Sequence, residues 1–340
     1  MGLVLGMAGI APGGDGPDAR FGDAWRSLGH GETTLAADRL RAIVREHPEH
    51  APTRRLVAAL DRLAVPSADV DPTPTLDDLP GRWQVARGPH VLLIHRDGPE
   101  ASAARVELLE RVTTTYYLLF AGLGFDLPAP RRRLVAVRFD RPEEFRSTLR
   151  DWGGSAFEAD WGCYLPARHL VATRAARGPS AAGPGLETAA ATHEMVHQLV
   201  AESGLEPRPG AFPSWLGEGL AAQFEPTDGP RWAGFLPSNT HRLDDCRRGD
   251  PSPPLVPMLT DAGHGRPVYG PAWALVHLLL AEEPASLAAL IDQLRGPADL
   301  DVEDCAIAAS RRALGADLGP LEARWRSHMR GPLDGSSVSR

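Results

Sequence analysis

The sequence has 340 residues, of which 43% are hydrophobic and 24% are charged, and its formal net charge is -8. This composition excludes a largely disordered or fibrous chain, and the length allows one catalytic domain with a small accessory piece. Every basic residue is arginine, and the short basic runs have no interleaved aromatic residues, so we do not expect nucleic-acid binding. No apolar run reaches the roughly 20 residues that a transmembrane helix requires, so we expect no such span.

The amino-terminal segment 1–22 is predicted to be a disordered or signal-like tail. Gly2–Ala11 is apolar and ends in small residues, as an export signal does, but no Arg or Lys precedes it. A disordered tail, or a start codon assigned too late, would give the same pattern. The sequence therefore leans towards export and leaves a cytoplasmic location open.

Residues 23–64 are predicted to form an α-helical hairpin that resembles one tetratricopeptide repeat. Leu35–Val44 carries an apolar stripe at helical spacing, and Pro48 ends that helix before a second one. One repeat cannot bury its own apolar face, so we expect the hairpin to dock on the neighbouring domain or to bind a protein partner. Residues 65–81 hold four prolines among Asp, Thr and Ser and are predicted to be a linker.

Residues 82–330 are predicted to be an α+β domain, with strands first and helices last. The predicted strands and early helices are Trp83–Ala86, His90–His95, Ala101–Leu123, Arg133–Phe139, Pro142–Trp152, Trp161–Leu165 and His169–Thr173. After the Gly- and Pro-rich loop Arg177–Gly185, the sequence predicts only helices and connectors. Residues 331–340 are predicted to be a disordered tail.

The strongest predicted helix, Leu186–Ser203, contains an HExxH motif. His193 and His197 are four residues apart, about one helical turn, so their imidazoles project from one face and can share a single ion. Glu194, beside the first histidine, can reach a water molecule on that ion without being a ligand itself. This is the arrangement that zinc-assisted hydrolysis requires.

Glu218 is the candidate third ligand. It lies on a second predicted helix that starts near Pro213, and it is off the apolar stripe of that helix. Two neutral imidazoles and one carboxylate would leave a Zn²⁺ ion with a net positive charge and an open position. The sequence thus predicts a Zn²⁺ site formed by His193, His197 and Glu218, with Glu194 as the general base in hydrolysis of peptide bonds.

A non-catalytic alternative remains open from the sequence. The protein could hold zinc for stability and act as an interaction or scaffold protein through its N-terminal helical hairpin. The presence of Glu194 favours an enzyme, because a structural zinc site has no use for a base and normally fills its fourth position with a protein ligand.

The HExxH motif and the downstream Trp215-Leu216-Gly217-Glu218-Gly219 resemble the gluzincin branch of zinc metallopeptidases. Between about Trp83 and Trp325, the chain is similar to an uncharacterised bacterial family of peptidase MA-like proteins. The segments that carry the similarity are Thr192–Leu199, Phe212–Glu225, Tyr269–Leu280 and Gly315–Trp325. The resemblance implies a thermolysin-like catalytic domain, a small sheet followed by a helical subdomain, with ligands His193, His197 and Glu218 and base Glu194.

The resemblance implies no particular substrate. The Gly-x-Met-Glu-Asn segment, with which better-known aminopeptidase members capture a free amino terminus, is absent, so the resemblance does not extend to exopeptidase action. The substrate is expected to be a peptide or protein. Its sequence, the choice between endo- and exopeptidase action, and the oligomeric state stay open.

Two further residues are weaker candidates for the site. Tyr269 begins a predicted helix and could stabilise the developing oxyanion, although a tyrosine that only packs its ring is the favoured alternative. Glu225 follows Glu218 by seven residues, two helical turns, and could orient a ligand histidine. For Glu225 the sequence favours an exposed surface position.

Overall fold

A computed structural model of the chain describes residues 16–157, 160–176, 183–248, 254–260, 268–296 and 302–330. The predicted tail 331–340, and most of the predicted tail 1–22 and of the loop 177–185, lie outside the described residues. Contacts between residues divide the chain into two compact units. We call the described part of Pro12–Leu205 with Phe224–Pro237 the sheet unit, and Glu206–Gln223 with the described part of Ser238–Arg340 the helical unit.

The sheet unit contains seven labelled helices and seven strands among its described residues. The helices are α1 (Pro17–Gly29), α2 (Thr33–Glu46), α3 (Ala51–Leu63), α4 (Thr73–Asp77), α5 (Pro99–Gly122), α6 (Pro142–Asp151) and α7 (Gly183–Glu202). The strands are β1 (Gln84–Arg87), β2 (Val91–His95), β3 (Leu134–Phe139), β4 (Gly162–Leu165), β5 (Leu170–Arg174), β6 (Thr227–Asp228) and β7 (Arg231–Trp232). Helices α1, α3, α5 and α6 have proline in their first turn, where its missing N–H costs no helical hydrogen bond.

Five strands form one mixed sheet in the order β1-β2-β3-β5-β4. The inner strands β2, β3 and β5 pair in parallel, and their nearly continuous apolar sequences match strands that are covered on both faces. Strands β1 and β4 pair antiparallel at the two edges. Helix α7, which carries the HExxH motif, packs against β4 and β5. The expected α+β class is confirmed.

The region in which the sequence predicts a helical hairpin, residues 23–64, lies within three helices, α1, α2 and α3. Helix α1 packs on α2, and α3 packs on α5, so this segment belongs to the sheet unit. Trp25 of α1 lies so close to Gly122 of α5 that a β-carbon at residue 122 would meet the indole at 2.5 Å. Glycine at the end of α5 is therefore required by this close approach. The domain boundaries expected from the sequence remain a prediction.

The short hairpin β6–β7 was not expected, because the sequence predicts only helices and connectors after residue 185. Its two-residue strands are too short to show an alternating pattern of apolar and polar residues. Gly229 forms the turn with a φ of 58°, a left-handed conformation that glycine adopts without strain. Trp232 in β7 is 1% exposed and anchors the hairpin in the sheet unit.

The helical unit contains only helices and connectors among its described residues. They are α8 (Ser214–Ala222), α9 (Thr240–Arg248), α10 (Leu255–Leu259), α11 (Tyr269–Glu282), α12 (Pro284–Leu294), α13 (Val302–Leu314) and α14 (Gly319–Met329). Helices α8 and α11 pack so closely that a β-carbon at Gly219 would come within 2.7 Å of the carbonyl oxygen of Ala272. The absence of a side chain at Gly219 allows this approach. The indoles of Trp215, Trp273 and Trp325 are buried in this unit.

No helix in the described part of the chain has the length and apolar character needed to span a membrane.

Candidate metal centre

Helix α7 holds the HExxH motif between a buried apolar face and a polar face. Met195, Val196 and Leu199 are fully buried and fix the rotation of the helix about its axis. On the polar face, His193 and His197 bring their Nε2 atoms to 3.0 Å from each other. The spacing of one helical turn thus places two imidazole nitrogens together, as the sequence predicts.

The other ring nitrogen of His193 faces a buried carboxylate. His193 Nδ1 lies 2.7 Å from Glu225 Oε1, and both side chains are less than a tenth exposed. A carboxylate only accepts hydrogen bonds, so Nδ1 carries the proton and donates it to Glu225. The lone pair of His193 is then on Nε2, which is the atom that faces His197. Carboxylates orient metal-binding histidines in this way in many proteins.

The sequence favours an exposed position for Glu225, on the same helix as Glu218 and two turns further on. In the structure Glu225 is buried, and it does not lie on that helix. Helix α8 ends at Ala222, so Glu225 lies beyond it. The apolar residues Leu216, Leu220 and Phe224 keep helical spacing past the end of the helix, which is why the periodicity does not reveal where α8 stops. The chain then turns Glu225 inward, where it is 6% exposed.

The segment that carries Glu225 is attached to α7 through the backbone carbonyl of Phe224. This oxygen accepts a hydrogen bond from the hydroxyl of Thr192 at 2.6 Å and another from the indole N–H of Trp232 at 2.8 Å. A third hydrogen bond, from Thr188 Oγ1 to the carbonyl of Pro230, joins α7 to the hairpin β6–β7 at 2.9 Å. The hydrogen bonds to the carbonyl of the preceding residue, Phe224, therefore hold Glu225 beside His193.

Glu218, the expected third ligand, lies on α8 and is half-buried. The helix begins after Pro213 and buries Trp215 and Leu216, which leaves Glu218 away from the apolar face. One ligand atom each from His193, His197 and Glu218 lies within 4.8 Å of the other two. These three residues could therefore hold a metal ion.

The donor set and its surroundings fit a divalent metal. Two imidazole nitrogens and one carboxylate oxygen are ligands that Zn²⁺ accepts, and other transition metals accept the same set. The hydrogen bond from His193 to Glu225 adds the carboxylate partner that ligand histidines commonly have. The arrangement itself does not identify the metal.

Glu194 lies on α7 towards the edge strand β4. Burial raises the pKa of the Cys163 thiol in β4, and the negative charge of Glu194 raises it further. Glu194 is half-buried, so its carboxylate is neither locked in the core nor fully in water. This position suits a carboxylate that exchanges protons with a bound molecule.

Tyr269, the candidate for oxyanion stabilisation, begins α11. The guanidinium carbon of Arg242 lies 4.7 Å above the centre of its ring, within range of a cation–π interaction. Arg242 is also bonded to Asp245, at 3.0 Å. These contacts describe a packed tyrosine and leave its role in the reaction a prediction.

A family model described as "Protein of unknown function (DUF1570)" matches residues 187–299. The match covers about a third of the chain and includes the HExxH motif, Glu218 and Tyr269. The description of that family assigns no activity. A search of curated proteins found no match to the chain.

Proposed function

We propose that the protein is a zinc-dependent metallopeptidase of the gluzincin type. The observation that carries the proposal is the convergence of His193, His197 and Glu218, whose ligand atoms lie within 4.8 Å of one another, beside a carboxylate at Glu194. The sequence of a small sheet, the α7 motif and a following helix with Glu218 supports a thermolysin-like catalytic domain. The proposed substrate is a peptide or protein.

His193, His197 and Glu218 would hold the metal. When bound, a Zn²⁺ ion supplies Lewis acidity, which makes water more acidic and polarises a carbonyl oxygen. Glu225 accepts a hydrogen bond from the Nδ1–H group of His193 and so leaves the lone pair of that ring on Nε2, the atom that would bind the metal. Glu218 contributes one negative charge, so the site keeps a net positive charge.

Glu194 moves the proton. As a carboxylate, it accepts a proton from the attacking water and then donates that proton to the leaving amide nitrogen, so the group returns to its starting state. The half-buried position of Glu194 is compatible with both steps. Tyr269 is proposed as a hydrogen-bond donor to the developing oxyanion.

The variant Glu194→Gln tests the proposal, because it preserves shape and removes the base. We expect one zinc ion per chain in both proteins, and a kcat lower in the variant by a factor on the order of 10² to 10⁴. Digestion of a broad peptide library, followed by mass spectrometry with and without a chelator, provides the measurement. The cleavage positions would also distinguish endopeptidase from exopeptidase action.

Glu202→Gln is the matched control. Glu202 is on the same helix and is bonded to His169 on the side away from the motif, so its loss should leave turnover unchanged. Bound zinc without turnover of any peptide in the wild type would favour the alternative, a non-catalytic zinc-containing interaction protein. Equal turnover by wild type and Glu194→Gln would contradict the proposed role of Glu194.

A further inference from the structure

Gly162, in the edge strand β4, lies directly beside the side chain of Glu194. Cys163 and Leu165 belong to the hydrophobic core on one face of the sheet. Because side chains alternate along a strand, residue 162 faces the opposite side, on which α7 packs. A β-carbon built at Gly162 would lie 3.0 Å from Cγ of Glu194. Glu194 therefore occupies the space that a side chain at residue 162 would need.

The other neighbours of that space belong to the sheet. The same β-carbon would lie 3.1 Å from the carbonyl oxygen of Ala172 and 3.1 Å from Cγ2 of Thr173, both in β5. Strand β5 is paired with a strand on each side, and Ala172 is fully buried. Non-bonded carbon atoms normally stay about 3.5–4.0 Å apart. Because the contact with Ala172 is to backbone in a strand that is paired on both sides, we expect the side chain of Glu194 to be the neighbour that moves, by a few tenths of an ångström.

The backbone of Gly162 does not itself require glycine. Its φ is not among the positive values of the described glycines, so alanine can adopt the same conformation. The contact with Glu194 is thus the reason that a side chain is excluded. Glycine within a strand commonly marks a place where another group approaches closely.

We propose that Gly162 is a positioning residue for Glu194: the missing side chain in β4 sets where the Glu194 carboxylate is held. The importance of this for turnover rests on the proposed function, in which Glu194 transfers the proton. The geometric part, that residue 162 determines the position of Glu194, does not depend on any activity.

The variant Gly162→Ala is the test. In a crystal structure we expect the Glu194 side chain to be displaced by a few tenths of an ångström or turned to another rotamer, with the backbone of β5 unchanged. We expect bound zinc to stay at one ion per chain. We expect kcat to fall about 10- to 100-fold while KM stays within about twofold, because a small displacement of a reacting group affects the chemical step most strongly.

Gly154→Ala is the matched control. A β-carbon at Gly154 would lie 3.1 Å from Cδ2 of Leu165 and 3.3 Å from Cδ2 of Leu149, so the crowding is similar but does not involve Glu194. This variant should lose some stability and keep the wild-type kcat. If Gly162→Ala does not fold, the double variant Gly162→Ala/Thr173→Ser, which removes one of the two crowded atoms of β5, gives the same readings.

The proposal is overturned if Glu194 keeps its wild-type position in the variant crystal structure. It is also overturned if Gly162→Ala turns over like the wild type while Glu194→Gln is inactive. Failure of the proposed function looks different: the wild type would cleave no peptide, and the crystal structures would still decide whether Gly162 positions Glu194.

Discussion

The two ring nitrogens of His193 have different partners, and this division determines what the residue can bind. Nδ1 donates to the buried Glu225, so the lone pair is left on Nε2 beside His197. A negative charge on Glu225 also makes the imidazole a better electron donor. Glu225 is therefore expected to affect metal affinity without touching the metal.

The variant Glu225→Gln should lower the affinity for zinc about 10- to 100-fold. The amide oxygen can still accept the hydrogen bond from His193, so the ring stays oriented, but the negative charge is lost. Competition with a chromophoric chelator measures the dissociation constant, and Glu202→Gln serves as the control. Unchanged affinity would show that Glu225 has no influence on the site.

At the residue scale, the sequence predicted the three residues that could hold a metal, and it named Glu225 as a candidate to orient a ligand histidine while favouring an exposed position for it. The spacing of His193 and His197 follows from the helical repeat, and the structure brings both together with Glu218. Glu225 could not be assigned, because its position depends on where α8 ends and on the hydrogen bonds of Phe224. Gly162 left no signal either, because one glycine in a short strand has many ordinary explanations.

At the scale of the elements, the amino-terminal part of α7 is held by a half-buried cluster of charges around the buried Glu187. Glu187 of α7 receives a hydrogen bond from Arg138 of β3 at 2.8 Å and lies 2.7 Å from Arg105 of α5. Both arginines also pair with Asp97, at 2.7 Å and 3.0 Å. The helix with the metal ligands is therefore tied to a strand and to a second helix.

This cluster should make the protein sensitive to acid. Burial by itself raises the pKa of Glu187, but the hydrogen bond from Arg138 and the charges of Arg105 and Arg138 outweigh burial and lower that pKa below 4.5. The stabilising contribution is thus complete above about pH 4.5, where an unfolded Glu is ionised, and is lost as the pH falls through the lower folded pKa.

We expect Glu187→Gln to reduce the free energy of unfolding at pH 7 by about 1.5–3 kcal/mol, since the half-buried Arg138 and Arg105 lose the charge of Glu187 and keep only that of Asp97. The loss should shrink as the pH is lowered below 4.5, because the wild type then loses the same charge. Urea unfolding at a series of pH values measures both effects. A difference between the two proteins that stays constant from pH 7 to pH 3 would contradict this explanation.

The long helices and the apolar strands could be predicted from the sequence because each has a clear period. The helices α5 and α7 and the strands β2, β3 and β5 lie within a few residues of their expected bounds. The hairpin β6–β7 could not be predicted from periodicity, although Asp228-Gly229 is a known turn signal. Its position is determined by contacts of Trp232, which depend on the tertiary structure.

At the scale of the whole molecule, the division into two units does not follow the order of the sequence. Phe224–Pro237 belongs to the sheet unit, although the chain on either side of it belongs to the helical unit. Phe224, Trp232 and Phe235 of this segment are all buried. Because the segment is assigned by its contacts in the folded structure, an analysis of the sequence in chain order cannot separate it from the helical unit.

Removal of the proposed metal ion should lower the stability of the protein. An ion that binds only the folded chain stabilises it by about 2.7 kcal/mol when its free concentration is 100 times the dissociation constant. We expect a chelator to reduce the Tm of the wild type in scanning calorimetry, and zinc to restore it. His193→Ala should show no response to either addition, and a wild type that also shows none would argue against a metal at this site.

The carbonyl oxygen of Phe224 accepts hydrogen bonds from two donors, Thr192 and Trp232, so either one can satisfy it alone. If either Thr192 or Trp232 is replaced, the buried oxygen still has one hydrogen bond, whereas loss of both leaves it unsatisfied in an apolar environment. The loss of either hydrogen bond alone should therefore have a small effect on stability. We therefore expect a substitution at Thr192 or Trp232 to cost less stability while the other residue still donates to this oxygen.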